Sequence, residues 1–479
     1  MLVNTSTVFP PRDMEVVVSH MHTSVVPKAS PETLPELAAY LEPFAPLFRR
    51  STSRTSVERY LTGLLTDLSR KNCDTIAAAV AGTSTERLQH LLTDAAWEPQ
   101  ALDRHRVTAL VAQSPPPGLL VLDDTGLPKQ GRSSVGVARQ YSGTLGKVAN
   151  CQVAVSAHYV ADEPTSRAPV HWPLTAQLYL PEAWATDAVR RAKVHVPPEV
   201  AFQTKPELAL ALVDQARAWG VPFAYVVTDA GYGDTPSFLQ GLDDRHVAYV
   251  VGISSTFGVR LPEEVHAAAL VRPSPRRRGQ PKKPRPAPLY AAQAVLEGLS
   301  ADRWQALTWR EYGDVVLRKQ FTAVRVHWAT GGAQFSTSHH RVSTGPEGWL
   351  LGERPLPGER GEVKLYLSNL PADTPLHRLV ELAHSRWPIE QFYEDAKGEC
   401  GLDHYQGRRW DGLHRHLALV MLAYSLLARQ RWMPTDPVGF SPLRGTPIVP
   451  GRPSPGAAVA VPRCRVMAHR DQPNRPVPP

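Results

Sequence analysis

The 479-residue sequence lacks any apolar run of the roughly 18–20 residues that a helix needs to cross a bilayer. Residues 1–12 contain no basic segment that leads into an apolar one, so no signal peptide is predicted. The four cysteines are far apart and form no Cys-x-x-Cys pair, which argues against a zinc site and favours reduced thiols. We therefore expect a cytoplasmic protein that has no membrane segment.

The composition is that of a soluble globular protein, with 42% hydrophobic and 20% charged residues. The length is sufficient for roughly two to four domains. A net charge of +8 favours an anionic partner, nucleic acid first. The alternative is that an Arg-rich and Pro-rich composition alone makes the chain mildly basic.

Residues 34–112 follow a flexible N-terminus (1–33) and have the spacing of apolar residues that is typical of helices. Thr83-Ser84-Thr85-Glu86 resembles a helix-capping sequence. Arginine and lysine residues are distributed over these helices. The region is interpreted either as a small DNA-binding domain or as an ordinary bundle with a solvated charged face.

The segments 118–260 and 363–431 predict an α/β catalytic core with a mixed sheet of the ribonuclease H-like kind. Leu119 to Leu122 predicts a buried strand that ends at Asp123-Asp124, and Ala224 to Val227 predicts another that ends at Thr228-Asp229. An amphipathic helix is expected over Glu207 to Trp219. Further strands are expected over residues 152–160, 172–180, 246–253, 321–328 and 363–367.

Residues 261–362 are interpreted as an insertion into this core. They contain Arg272 to Pro286, a basic and Pro-rich run without a single acid, which is either a solvated loop or a segment that follows a phosphate backbone. From residue 432 to 479, proline and glycine recur and apolar periodicity is lost, so this tail is predicted to be disordered. A frameshift or truncation of the reading frame would produce such a change of character.

Three acids are candidate metal ligands: Asp124, Asp229 and Glu390. A carboxylate where a strand ends lies at the edge of the sheet where α/β sites form. Asp123 lies next to Asp124, and strand alternation sends the two side chains to opposite faces. Glu394, about 40° further round the same helix, is the alternative to Glu390. An all-carboxylate set favours magnesium or manganese over zinc, with two ions roughly 3.5–4 Å apart.

Arg386, Glu390 and Lys397 lie within roughly 40° of one another if residues 386–397 form one helix. Pro388 either kinks that helix or begins a new one. In the second case Arg386 precedes the helix, and only Glu390 and Lys397 share its face.

These residues resemble those of a DDE-type insertion-sequence transposase whose third acid lies in a Y-x2-R-x3-E-x6-K signature. Arg386, Glu390 and Lys397 match it, whereas Ala383 stands where the signature has tyrosine. The closest resemblance is to the insertion sequence 701 family, related to the insertion sequence 4 group. The similar blocks are Asp123 to Gly131, Gly136 to Gly143, Asn150-Cys151-Gln152, Thr204 to Glu207 and Asp229 to Gly233.

The resemblance implies that Asp124, Asp229 and Glu390 bind the metal ions and that Arg386, Lys397 and Lys129 contact DNA. It implies cleavage of a phosphodiester at the element's ends, followed by attack of the freed 3′-hydroxyl on target DNA. The expected partners are double-stranded terminal inverted repeats and target DNA, held by a homodimer. Two alternatives stay open: a metal-dependent nuclease without strand transfer, and a decayed transposase derivative that binds DNA without catalysis.

Overall fold

The computed structural model describes residues 34–142, 146–163, 166, 169–270, 287–312, 315–329 and 344–432. Three sequence predictions therefore lie outside the described residues: the flexible N-terminus (1–33), the basic run Arg272 to Pro286, and the Pro-rich tail beyond Trp432.

Residues 35–111 form helices that precede the sheet. They are α1 (Pro35–Leu41), a 3-10 helix (Glu42–Leu47), α2 (Ser51–Leu65), α3 (Cys73–Ala79), α4 (Thr85–Thr93) and α5 (Pro99–Val111). The Asn72 side chain accepts a hydrogen bond from the Thr75 amide at the start of α3, and Ser84 does the same for Arg87 at the start of α4. These caps satisfy amides that a helix leaves unpaired at its first turn.

Twelve strands among the described residues form one mixed sheet. They are β1 (Gly118–Pro128), β2 (Ala138–Ser142), β3 (Lys147–Ala161), β4 (His171–Tyr179), β5 (Phe223–Thr228), β6 (Ala248–Ile253), β7 (Gly258–Arg260), β8 (Tyr290–Ala291), β9 (Gln305–Tyr312), β10 (Val315–Ala329), β11 (Thr344–Arg354) and β12 (Lys364–Ser368).

Five of these strands lie in the order β4-β3-β1-β5-β6. The β4-β3 and β3-β1 pairs are antiparallel, whereas β1-β5 and β5-β6 are parallel. The parallel step from the first three strands to β5 is made through α8 (Lys205–Ala218), whose C-terminus is followed by Gly220 at φ +72°. This is the ribonuclease H-like mixed sheet that the sequence predicts.

The prediction that β1 ends at Asp123-Asp124 is wrong, because the strand continues to Pro128. Its antiparallel partner β3 is long enough to pair with it as far as Cys151 opposite Pro128. Its parallel partner β5 is shorter, and their last paired residues are Val121 and Val227. The two acids therefore lie where β5 has ended, although β1 itself continues.

Residues 261–362, predicted to be an insertion, contribute strands to the same sheet. Strand β12 pairs antiparallel with both β6 and β11, and the order continues β12-β11-β10-β7-β8, with β9 on β10. The strands of residues 261–362 thus reach β6, the strand next to β5, through β12.

The remaining helices cover both faces of the sheet. They are α6 (Glu182–Ala185), α7 (Ala188–Lys193), α9 (Ala230–Gly233), α10 (Pro236–Asp244), α11 (Pro262–Leu270), α12 (Ala292–Glu297), α13 (Leu376–Ala383), α14 (Trp387–Gly398) and α15 (Trp410–Trp432). One core joins α2, α4, α14 and α15 to one face of β1, and a second core joins α8 and α10 to the other face. No helix among the described residues is long and apolar enough to cross a membrane.

Candidate active site

The side chains of Asp123 and Asp124 leave β1 on opposite faces, as alternation along a strand requires. Asp123 accepts a hydrogen bond from Arg386, just before α14, at 2.6 Å. Asp124 accepts one from Lys205, the first residue of α8, at 2.9 Å. We call these two sides of β1 the Arg386 face and the Lys205 face.

Pro388 occupies the first turn of α14, which begins at Trp387, and Arg386 is the N-cap residue. The structure therefore selects the second of the two readings of Pro388: the proline begins a new helix, because its missing amide hydrogen costs nothing in the first turn. Only Glu390 and Lys397 share the helix face. Arg386 nevertheless meets Glu390, since its guanidinium donates to the Glu390 carboxylate as well as to Asp123.

Asp123 is nearly buried, at 9% exposure. Burial raises the pKa of Asp123 to about 7; Arg386 opposes this shift, and the charges of Asp229 and Asp124 add to it. Burial acts to lower the pKa of Arg386, but Asp123, Glu390 and Asp229 outweigh it and raise that pKa. The sequence-based prediction selected Asp124 rather than Asp123, because strand alternation allows only one of the two acids to point into a given site.

On the Lys205 face, the Asp124 carboxylate also accepts a hydrogen bond from the Tyr232 hydroxyl at 3.3 Å. A capping box orients Lys205, because Thr204 and Glu207 bond each other's backbone amides at the start of α8. Burial, followed by the charge of Asp124, raises the pKa of Tyr232 well above its ordinary value. Lys205 and Tyr232 were not predicted as site residues, although both lie in sequence blocks that the resemblance rests on.

Asp229 follows directly after β5 and caps the short helix α9, where its carboxylate accepts from the Gly231 amide at 3.0 Å. Asp123 and Asp229 each lie two residues beyond the last parallel pair, Val121 and Val227. Asp229 accordingly contributes to the electrostatic field at Asp123, Arg386 and Tyr232.

Gly233 has a structural rather than a ligand-binding reason to be glycine. A Cβ atom there would lie 2.0 Å from the carbonyl oxygen of Gly252 on β6. The backbone of β6 thus approaches this glycine so closely that no side chain fits between them.

The two lysines predicted to contact DNA lie at the side of this site. The Lys397 ammonium lies 5.9 Å from the centre of the Tyr393 ring, and burial lowers its pKa while Asp403 and Asp123 oppose the shift. The Lys129 ammonium donates to the backbone oxygens of Tyr405 at 2.5 Å and Asp403 at 3.4 Å. Burial lowers the pKa of Lys129 to about 8.

The oxygen-only character of Asp124, Asp229 and Glu390 fits a hard divalent cation. Their positions do not yet form a closed ligand set: within the described ranges, no three His, Cys, Asp or Glu side chains are close enough together to hold a metal ion. Each of the two β1 carboxylates is instead neutralised by its own cation. Glu390 is exposed, with 58% of its side chain accessible, so its carboxylate has room to move.

Two family models cover the sheet and its acids and show the class to which this protein belongs. A family model described as "DDE superfamily endonuclease" matches residues 43–314, more than half of the chain, and the protein belongs to that family. A second model, "Transposase DDE domain", matches residues 203–426. The resemblance to DDE-type insertion-sequence transposases is thereby confirmed.

Among curated proteins, the chain is similar to the "Probable transposase for insertion sequence element IS701" of Microchaete diplosiphon. The two are 28% identical over 244 residues, which is 50% of this chain and 60% of the relative. Among solved structures, a match to the NurA nuclease of Sulfolobus solfataricus covers 62% of this chain and 85% of that one, at 8% identity and a TM-score of 0.24. So low a TM-score carries no argument about the fold.

Proposed function

We propose that the protein is a DNA transposase that cuts a phosphodiester bond at the ends of an insertion sequence and joins the freed 3′-hydroxyl to target DNA. The observation that carries this proposal is the alignment of acids at one edge of the sheet in a member of the DDE superfamily. Asp229 follows β5 at the level of Asp123-Asp124 on β1, and Arg386 links that edge to Glu390.

In this proposal Asp124, Asp229 and Glu390 hold two magnesium or manganese ions. Such ions activate the attacking oxygen and stabilise the leaving one. Arg386 would bind a phosphate oxygen with the guanidinium that in this structure bonds Asp123 and Glu390. Tyr232 orients the Asp124 carboxylate by donating its hydroxyl hydrogen.

The proposed DNA path continues from Lys397 towards Lys129. A cleft of about 690 Å³ lies beside Lys129, and its rim carries the exposed Arg70 and Arg408. Asn150 orders the loop along this cleft, because its amide donates to the carbonyl oxygens of Lys129 and Gly131. Cationic side chains around such a cleft suit a phosphate backbone, and the net charge of +8 favours the same partner. A homodimer that holds two DNA ends is part of the proposal.

A metal-dependent nuclease without strand transfer is the second candidate, because the same acids serve cleavage alone. A cleavage assay with labelled terminal repeats and an intact target plasmid separates the two functions. The transposase joins both ends to the plasmid, whereas a nuclease releases cut ends that stay unjoined. A decayed derivative that only binds DNA gives a shifted complex and neither product.

The test of the site uses variants at its exposed acid. Glu390→Gln is expected to abolish magnesium-dependent cleavage, by at least about 1000-fold if several kcal/mol of charge stabilisation are lost. DNA binding in a gel-shift assay is expected to stay unchanged. Glu394→Gln, one turn further along α14 and exposed, is the matched control and is expected to cleave normally. Cleavage by Glu390→Gln together with loss in Glu394→Gln would assign the role to Glu394.

A further inference from the structure

Glu353, on the inserted strand β11, is a carboxylate with 1% of its side chain exposed. Three groups approach it. The Lys319 ammonium on β10 donates to one oxygen, while the other lies 3.2 Å from the Tyr366 hydroxyl on β12 and 3.1 Å from Nε2 of His384. The first two partners come from neighbouring strands, whereas His384 comes from the turn between α13 and α14. Glu353 thus joins the inserted strands to that turn.

The His384 ring has partners at both of its nitrogens and on one face. Its Nδ1 lies 2.8 Å from the carbonyl oxygen of Val380, and Trp309 of β9 stacks on its ring with the centroids 4.2 Å apart. Both ring nitrogens therefore lie within hydrogen-bond distance of an acceptor oxygen. Burial acts to raise the pKa of Glu353, but His384 and Lys319 outweigh it and lower that pKa to about 2.

The same turn leads directly into the candidate active site. Arg386 lies two residues after His384 and makes the bonds to Asp123 and Glu390. The next residue, Trp387, lies under the Arg310 guanidinium of β9 at 4.0 Å. Residues 384–387 are therefore fixed at two points by inserted strands, on either side of Arg386.

We propose that the Glu353–His384 pair is a positioning device for cleavage, through which the inserted strands set the place of Arg386 and thereby of the Glu390 carboxylate. The proposal rests on the function proposed above and goes beyond it, because it assigns the insertion a role in the active site. The pair lies two residues from the arginine that bonds Asp123 and Glu390, so its loss is expected to displace that guanidinium.

The test compares two glutamates on the same strand. Glu353→Gln keeps the shape of the side chain and removes its charge; Glu347→Gln makes the same change in an exposed pair with Arg325, 2.8 Å long, which lies away from the turn. Glu353→Gln is expected to slow cleavage by about 10-fold to 100-fold, as changes behind metal ligands do, with an unchanged dissociation constant for DNA. Glu347→Gln is expected to change neither quantity more than about 2-fold.

A double-mutant cycle with Arg386→Gln separates positioning from general destabilisation. If Glu353 acts through Arg386, the double variant Glu353→Gln/Arg386→Gln cleaves no more slowly than Arg386→Gln alone. The proposal would be overturned if the effects of the two substitutions on the cleavage rate multiplied in the double variant. It would also be overturned if Glu353→Gln lost as much DNA affinity as cleavage rate, or if its cleavage rate were unaffected. Wild-type protein that fails to cleave would instead contradict the proposed function.

Hydrogen exchange gives a readout that does not depend on cleavage. Glu353→Gln is expected to speed exchange of the amides over residues 384–392 more than that of β10 and β11, and Glu347→Gln is expected to leave those amides unchanged. Unaltered exchange over residues 384–392 in Glu353→Gln would overturn the proposal even if no activity were measured.

Discussion

The Arg386 face and the Lys205 face of β1 each hold one carboxylate of the Asp123-Asp124 pair, but they hold it differently. On the Arg386 face the acid is nearly buried, and its cation also binds Glu390. On the Lys205 face the Asp124 side chain is 21% exposed, and its partners are a lysine and a tyrosine. Asp123 is thus linked through Arg386 to the helix that carries Glu390, whereas Asp124, the next residue of the strand, is more accessible. The difference raises the question of which acid binds metal.

The largest expected effect separates these two acids directly. Asp124→Asn is expected to lower the cleavage rate by at least about 1000-fold, because it removes a proposed metal ligand. Asp123→Asn is expected to lower it by only about 10-fold, because Asp123 acts on Glu390 through Arg386. Both rates are measured at saturating magnesium, with DNA affinity measured in parallel.

The opposite ranking would move the first ligand to the Arg386 face. A 1000-fold loss in Asp123→Asn with near-normal cleavage by Asp124→Asn would mean that Asp123, Asp229 and Glu390 form the metal site around the place that Arg386 now holds. Equal losses in both variants would mean that Asp123 and Asp124 contribute equally to cleavage.

A smaller effect is expected from the cation of the Lys205 face. The Lys205 ammonium lies 2.9 Å from Oδ2 of Asp124, so its positive charge would repel a cation bound to that carboxylate. Lys205→Met is expected to lower the magnesium concentration needed for half-maximal cleavage by roughly 5-fold, the equivalent of about 1 kcal/mol between two charges near water. The measurement is a magnesium titration of the cleavage rate.

Lys193→Met, an exposed lysine at the end of α7, is the matched control and is expected to leave the magnesium requirement unchanged. A raised requirement in Lys205→Met would contradict competition and would mean that Lys205 supports the Asp124 carboxylate in its metal-binding position.

The sequence predicted what depends on nearby residues. Apolar runs predicted β5 and β6, and the spacing of leucines and alanines predicted α8. Pro388 indicated the start of α14 as one of two interpretations. It did not predict what depends on distant partners. The continuation of β1 to Pro128 requires β3, and the orientation of Asp123 towards Arg386 requires α14 to pack on one particular face.

The place of the inserted strands in the sheet was not predicted either, because it too depends on distant partners. Strand character was visible over Phe321 to Trp328, but the place of the insertion in the sheet depends on β12 lying between β6 and β11. The pair formed by Glu353 and His384 joins residues 31 positions apart in sequence and becomes visible only once both elements are placed. Neither residue has a local sequence signal.

The last expected effect concerns folding on the Arg386 face. His158 and His171 lie there beneath α14, with Nε2 of one 2.9 Å from Nδ1 of the other and the His158 ring against Phe392. Burial, helped by His171, holds the pKa of His158 well below its ordinary value, and burial lowers the pKa of His171 to about 4. Both rings are therefore neutral in the folded protein at pH 6.

Histidines in the unfolded chain bind protons near pH 6.5, so the contribution of this pair to stability is constant above that value and falls as the pH drops from about 6.5 towards 4. At pH 6 the expected loss is roughly 0.8 kcal/mol for each histidine. Urea unfolding at pH 8 and pH 6 measures it. The double variant His158→Asn/His171→Asn is expected to lose less stability between these two values than the wild type.

His246→Asn is the control, since His246 is exposed with φ +52°, a backbone conformation that asparagine tolerates. If the double variant lost as much stability between pH 8 and pH 6 as the wild type, other groups would cause the loss. The two histidines would then not distinguish the Arg386 face.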